Sequence, residues 1–179
     1  MELQSERLRL IPLSEELAPE MAELYREDWP YLKAWSPDRG PRFFTAEGQE
    51  ERLATRAAEN RDGKAAAYAV FEVERDLLLG TAEITDIIRG PFQSGYLGYW
   101  IARRGAGQGY ATEAVRRVAD YAFKELSLHR LEAGIMPRNV RSIRVAEKAG
   151  FRCEGVSHSY LKIAGRWEDM LRYVRLSPT

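Results

Sequence analysis

The sequence predicts an α/β chain of the α+β type, with a mixed, largely antiparallel central sheet of about seven strands and helices on both faces. Three observations carry that expectation. Between residues 66 and 102, three runs rich in β-branched and aromatic residues follow one another across short turn-like stretches, which is how an antiparallel meander reads. Directly after them a glycine-rich loop opens a helical pattern, and strand, helix and two further strands follow, an order that makes the sheet mixed and covers both its faces. The last two of those strands, joined at "AGR", read as a hairpin that closes the chain.

Taken in order, "RLRLIPL" (residues 7–13) alternates and stops at a proline, as a short strand does. Residues 15–28 place Leu17, Met21, Leu24 and Tyr25 on one side of a helix, and a second helical run covers 45–60. The meander strands are "AAYAVFEVE" (66–74), "LLLGTAEITDI" (77–87) and "GYLGYWIA" (95–102), separated by "RD" and "RGPFQSG". After the glycine loop, Ala111, Ala114, Val115, Val118, Ala122 and Leu126 recur at three- and four-residue spacing, while Glu113, Arg116, Arg117, Asp120 and Lys124 fall mostly on the other side. "RLEAGIM" (130–136) is a strand, 140–149 a short helix, and 151–163 with 167–176 form the hairpin. With 179 residues and no internal repeat or low-complexity linker, the chain reads as one domain over 1–179, large enough for a proper core.

Composition sets the surroundings. One cysteine, Cys153, excludes an internal disulfide, and His129 and His158 stand too far from it in sequence to suggest a metal cluster. No stretch approaches the roughly 20 apolar residues that span a bilayer, and the charged start is unlike a signal peptide, so a soluble, cytoplasmic protein is expected. Formal charge is zero overall, but residues 1–90 hold 12 Lys/Arg against 19 Asp/Glu, and residues 91–179 hold 15 against 8. The halves differ in sign.

The stretch "RRGAGQGYATEAVRRV" (103–118) crowds Gly105, Gly107 and Gly109 against a helix start. First-turn amides have no partner inside a helix and carry about half a positive charge, so a loop free of side chains in front of them leaves room for an anion, most simply a phosphate. Two familiar cradles do not fit. No Gly-Lys-Ser/Thr follows, and the dinucleotide fingerprint would need a glycine where Tyr110 stands.

"GYWIARRGAGQGYATEAV" together with "NVRSIRVAEKAGF" resembles the Gcn5-related N-acetyltransferase (GNAT) superfamily, and "LKAWSP" and "AGRWEDMLRY" are similar to its ribosomal-protein N-terminal acetyltransferase branch. The resemblance covers nearly the whole chain and implies a GNAT-like fold. It implies acetyl-CoA as cosubstrate, with amides from Gly107, Gln108, Gly109, Tyr110, Ala111 and Thr112 facing the coenzyme A pyrophosphate. The family's leading Arg/Gln falls on Ala106, so that side-chain contact is missing or is supplied by Arg104. Pantetheine would follow the exposed backbone of Tyr99, Trp100 and Ile101. Asn139, also a natural helix cap, would bond the pantetheine arm, and Ser142 would lie near the thioester sulfur.

Acyl transfer to an amine needs a neutral amine, a polarised carbonyl and a stabilised thiolate. The sequence does not single out the base: Glu83 sits mid-strand on the expected substrate side, with Asp86, Glu168 and Asp169 as rivals. For the acid, Ser142 and Tyr160 are candidates; His158 reads as structural and Cys153 as a small buried apolar group. The expected partners are acetyl-CoA and a cationic amine acceptor such as a ribosomal-protein N-terminus, drawn by the acidic first helices (Glu15, Glu16, Glu20, Glu23, Glu27, Asp28, Glu47, Glu50 and Glu51). Neither membrane nor direct nucleic-acid binding is expected, and a homodimer is left open. Polyamines, aminoglycosides and amino acids are alternative acceptors, and a noncatalytic coenzyme A sensor is the alternative outside enzymes.

Overall fold

Hydrophobic periodicity translates into two apolar layers, one on each side of a single sheet. The computed structural model describes residues 1–178. Its strands are β1 (Leu3–Gln4), β2 (Leu8–Pro12), β3 (Ala66–Glu72), β4 (Leu77–Ile88), β5 (Ser94–Ile101), β6 (Arg130–Ile135), β7 (Arg152–Ile163) and β8 (Arg166–Leu176). The helices are α1 (Ala18–Leu32), α2 (Ala46–Arg61), α3 (Tyr110–Lys124) and α4 (Val140–Lys148). The strands form one 8-stranded sheet in the order β1-β2-β3-β4-β5-β6-β8-β7, antiparallel everywhere except between β5 and β6.

The expected meander, mixed sheet and closing hairpin are all present. The eighth strand is β1, two residues paired with β2 through Leu3↔Leu10, too short to leave an alternation in the sequence. The first helix begins as a 3-10 turn at Glu15–Leu17 and runs four residues past the expected end at Asp28, through Pro30. That extension matters, because it carries Trp29, Tyr31 and Leu32 to the edge of the cleft described below.

Each face has its own core. Ala114, Val115, Val118, Ala119 and Ala122 of α3 pack with Leu79, Ala82, Ile84, Leu97 and Leu131 on one side, and Met21, Leu24 and Leu53 of α1 and α2 pack with Ala67, Ala69, Phe71 and Leu78 on the other. Each fully buried leucine or valine contributes about 1.5–3 kcal/mol relative to leaving it exposed, so these layers hold the helices against the sheet. Cys153, expected inside, is exposed on β7, an edge strand of which only Ile163 is buried.

One bulge shapes the sheet. Val70 pairs with Gly80 and Phe71 with Leu78, so Leu79 is an extra residue in β4. Gly80 there has φ +154, and a Cβ on it would stand 2.1 Å from the Trp100 carbonyl oxygen. The close approach of β4 to the end of β5 therefore requires glycine.

A polar strap ties the start of β2 to the glycine loop. Glu113 accepts from Ser5 Oγ, from the Arg7 main-chain amide and from Arg7 Nε, each at 2.8 Å, while Arg7 Nη1 donates to Gln108 O at 3.0 Å and its guanidinium lies over the Tyr110 ring. Burial raises the Glu113 pKa, but these donors outweigh it and hold the carboxyl below its ordinary value of 4.5. A depressed folded-state pKa means the strap's contribution is complete above pH 4.5 and is lost as pH falls through the folded value. Unfolding free energy from urea titrations is accordingly expected to decline below about pH 4.5, and Glu113→Gln is expected to give a lower plateau with a shallower decline.

Candidate functional site

The sheet opens where its one parallel pair stops. β5 and β6 pair at Ser94↔Arg130, Gly95↔Leu131 and Tyr96↔Glu132, and no further. Beyond that point β5 stays with β4 as far as Ile101, and β6 stays with β8 as far as Ile135, so the two strands diverge. The gap is a cleft of about 1250 Å³ bordered by Tyr99, Trp100 and Ile101 on one side and Ala133, Gly134 and Ile135 on the other. Backbone groups that face such a gap need partners, and here only a ligand or water can supply them.

Both faces of the sheet meet in this slot. Thr81 pairs with Trp100, and residues directly opposite share a face, so Thr81, Glu83 and Trp100 stand on the α1–α2 side. Tyr99 and Ile101 point the other way, into the α3 layer.

The glycine loop closes one end. Gly107 and Gly109 have φ of +77 and +86, and Gly109 is the N-cap of α3 without any side-chain cap bond. A Cβ on Gly107 would meet nothing within 4 Å and one on Gly109 only Arg7 Nη2 at 3.4 Å, so backbone conformation, not packing, demands glycine at both. Gly105 differs: it is buried, and its Cβ would press on Ile101 and Leu79. The first helical bond runs from Glu113 N to Gly109 O, and the amides of residues 107–112 donate to no protein group among the described residues. That is an anion cradle at the positive end of a helix of 15 residues. Arg144 and Lys148 of α4 line the same cleft and add positive charge beside it.

α4 and β5 together bring a hydroxyl pair to the cleft. Asn139 Oδ1 accepts from Ser142 N at 3.2 Å, the cap expected from sequence, and its amide nitrogen keeps two donors for the cleft. Gly150, φ +88, ends that helix as expected. Ser142 Oγ lies 2.8 Å and Ser142 O 3.0 Å from Tyr99 Oη, whose single proton can go to either. Burial pushes the Tyr99 phenol up to about 12, with the Ser142 hydrogen bond a smaller opposing effect.

On the α1–α2 side stands Glu83, the only carboxylate lining the cleft among the described residues. It is buried, accepts from Thr81 Oγ1 at 2.9 Å and Arg52 Nη2 at 3.1 Å, and lies 3.0 Å from Arg56 Nε. The Arg56 contact is Coulombic, because that N–H is not aimed at the carboxylate and has no acceptor. Tyr25, Trp29 and Phe43 form the apolar wall above it.

The remaining sequence-based candidates fall elsewhere. Arg104 does not line the cleft; it donates to Leu78 O and faces Glu27, so it is built into the α1–β4 contact and does not replace the missing side chain at Ala106. Gln108 contributes its backbone to the loop, while its side chain folds back onto Arg104 O. Tyr160 is exposed on β7, where its neighbour Leu161 turns into the cleft and alternation sends Tyr160 away. Tyr99, noted in the sequence only for its backbone, supplies the tyrosine hydroxyl instead. Asp86, Glu168 and Asp169 are also outside: Glu168 pairs with Arg138, and Asp169 with His158. The acidic residues of the first helices do not line the cleft either. Seven cations do, against the single Glu83, so the acidic acceptor side expected from the charge split is absent.

A splayed parallel pair, a glycine-loop helix terminus and an apolar-walled cavity on the far face of the sheet have the form of a group-transfer site. Residues 7–152 match the acetyltransferase (GNAT) domain family, and the chain belongs to that family. It is similar to the probable N-acetyltransferase YjcK of Bacillus subtilis (39% identity, 98% of this chain and 97% of that one). It is also similar to the ribosomal protein uS5-alanine N-acetyltransferase of Escherichia coli (32% identity over 83% and 77%). Among solved structures, the ribosomal-protein-S5-alanine acetyltransferase of Vibrio fischeri superposes with a TM-score of 0.93 at 29% identity, covering 99% and 97% of the two chains. Mycobacterium smegmatis RimJ, in complex with a coenzyme A disulfide, superposes at 0.90 with 27% identity over 95% and 82%. The chain is therefore an acetyltransferase of an acetyl-CoA-binding family. Among the described residues no helix is long and apolar enough to cross a membrane, and no cluster of His, Cys, Asp or Glu could hold a metal ion.

The cradle has a direct test. In Gly109→Val the side chain forces a φ that costs an L-residue about 1–2 kcal/mol and stands where a diphosphate must approach. Calorimetry is expected to record coenzyme A affinity at least about tenfold weaker. Arg104→Ala is expected to lower the melting temperature and leave that affinity unchanged.

Proposed function

We propose that the protein transfers the acetyl group of acetyl-CoA to the N-terminal α-amine of a protein, by direct attack within a ternary complex. The observation that carries this reading is the slot between β5 and β6, with the Tyr99–Ser142 hydroxyl pair on one face of the sheet and Glu83 on the other. Relatives named for ribosomal-protein alanine acetylation support the acceptor class.

In this reading the diphosphate lies on the amides of 107–112 and the pantetheine arm follows the open edge of Tyr99, Trp100 and Ile101, with Asn139 holding an arm amide. The acceptor enters from the α1–α2 side. Its nitrogen attacks the thioester carbonyl, the new C–N bond forms, and the C–S bond breaks as the tetrahedral centre collapses. The proton lost from nitrogen leaves through Glu83 or water held on it. The departing sulfur takes a proton from the Tyr99–Ser142 pair, in which either oxygen can donate to the other. An α-amine with a pKa near 8 is already partly neutral at pH 7, and the guanidiniums around Glu83 lower the charge state further, since like charge disfavours the ammonium form.

Tyr99→Phe and Ser142→Ala are each expected to lower kcat by about ten- to a thousandfold with little change in coenzyme A affinity. With the Tyr99 pKa raised to about 12, the phenol stays protonated across the accessible range. The kcat profile should therefore rise through the amine pKa and stay flat to about pH 10, with no basic limb. Acetylation of peptides, read as thiol release and located by mass spectrometry on the α-nitrogen, tests the assignment. A polyamine that outruns every peptide would overturn it.

A further inference from the structure

The acceptor half of the cleft is a cation-rich surface in which Glu83 is the one anionic acceptor among the described residues. Arg39, Arg52 and Arg56 project into it and Glu83 alone opposes them from within. Arg56 also pairs with Glu59, which lies outside the cleft. Even so, donors are left over. Arg56 Nε is buried without an acceptor at hydrogen-bonding geometry, while the Trp100 indole Nε1 is enclosed beside the Tyr25 hydroxyl. Arg39 forms neither a hydrogen bond nor an ion pair among the described residues, resting on the Phe43 ring at 4.6 Å instead. Its outer side meets solvent, while the cleft wall strips water from the inner side and lowers its pKa, with Arg52 adding to the effect.

Leaving a buried N–H without a partner is costly, and gathering guanidiniums around one carboxylate is costly too, unless a ligand brings the acceptors. A lysine-rich peptide or a polyamine would add charge of the wrong sign to this surface. A carboxylate would satisfy it, because a guanidinium fork takes two carboxylate oxygens at once.

Resting on the reading of this cleft as the acceptor site for a protein N-terminus, we propose that the preferred acceptor carries an acidic side chain within a few residues of its α-amine, bound by Arg39 and Arg52. The amine itself then approaches the slot beside Glu83, while the carboxylate sits outward, under the loop that carries Arg39. The aromatic wall of Tyr25, Trp29 and Phe43 packs against the intervening backbone and makes the site fit a chain better than a compact small molecule. Specificity of this kind also works by exclusion, since a basic residue at the same place meets uncompensated positive charge.

The experiment compares peptides that begin with Ala or Ser and carry Glu, Gln or Lys at positions two to four, with kcat/KM measured by thiol release. Glu peptides are expected to exceed their Gln counterparts by about tenfold and Lys counterparts by more, chiefly through KM. The Glu-to-Gln ratio should shrink as salt rises, because a partly open ion pair is screened. In Arg39→Gln that ratio should fall toward one; in Arg39→Lys, which keeps the charge and loses the fork, part of it should remain. Arg39 is exposed and bonded to no other group among the described residues, so these variants are expected to fold. Equal rates for all three peptide sets, or a preference for Lys, would overturn the proposal while leaving the N-terminal acetyltransferase reading in place. Binding of coenzyme A with no peptide of any charge acetylated would overturn that reading, and this proposal with it.

Discussion

Everything at the site depends on the three-residue length of the β5–β6 pairing. Two strands that run parallel from Ser94 and Arg130 separate after Tyr96 and Glu132 because each is held more extensively by its other neighbour, β5 by β4 and β6 by β8. Separation leaves main-chain groups facing a gap, and such groups require partners. The gap leaves an open edge on β5 and joins the two faces of the sheet, which is what the proposed meeting of a donor on one side with an acceptor from the other requires. The Leu79 bulge and Gly80 support this by letting the end of β5 press against β4 at a distance no side chain would permit.

The two sides of the slot are built on different physics. On the α3–α4 side, the attraction for an anion comes from backbone amides at a helix terminus, reinforced by Arg144 and Lys148, and the scaffold is rigid because Arg7 and Glu113 strap the loop to β2. On the α1–α2 side, charge is carried by side chains whose positions follow from helix packing, and Glu83 is stabilised there by the same arginines that make the surroundings positive. A carboxylate in that setting orders water and arginines together, which is a different role from an isolated base in an apolar pocket.

Sequence reading went furthest where local rules decide. The meander, the amphipathic α3, the Asn139 cap and the left-handed Gly150 each follow from a few adjacent residues, and all are present. It went wrong where a side chain's direction depends on tertiary packing. Tyr160 and Leu161 are neighbours in one strand, and only the pairing of β7 with β8 decides that Leu161 faces the cleft. Arg104 was two residues from the expected position, yet its guanidinium is taken up by the Leu78 carbonyl. The sequence points only to the backbone of Tyr99, since nothing in it ties that hydroxyl to a serine 43 residues later.

Charge illustrates the division most clearly. The chain's two halves differ in formal sign, and that difference is legible by counting. Counting assigns no residue to a cavity, however, and the acidic residues of α1 and α2 stay outside the cleft while Arg52 and Arg56, on the same α2, turn inward beside Glu83. The sequence by itself determined the fold class, the order of the elements and the glycine-loop cradle, because periodicity, caps and positive-φ glycines are properties of short segments. The electrostatic sign of the acceptor side and the partner of Ser142 were decided only by tertiary structure, because both depend on which faces of distant elements the packed sheet brings together.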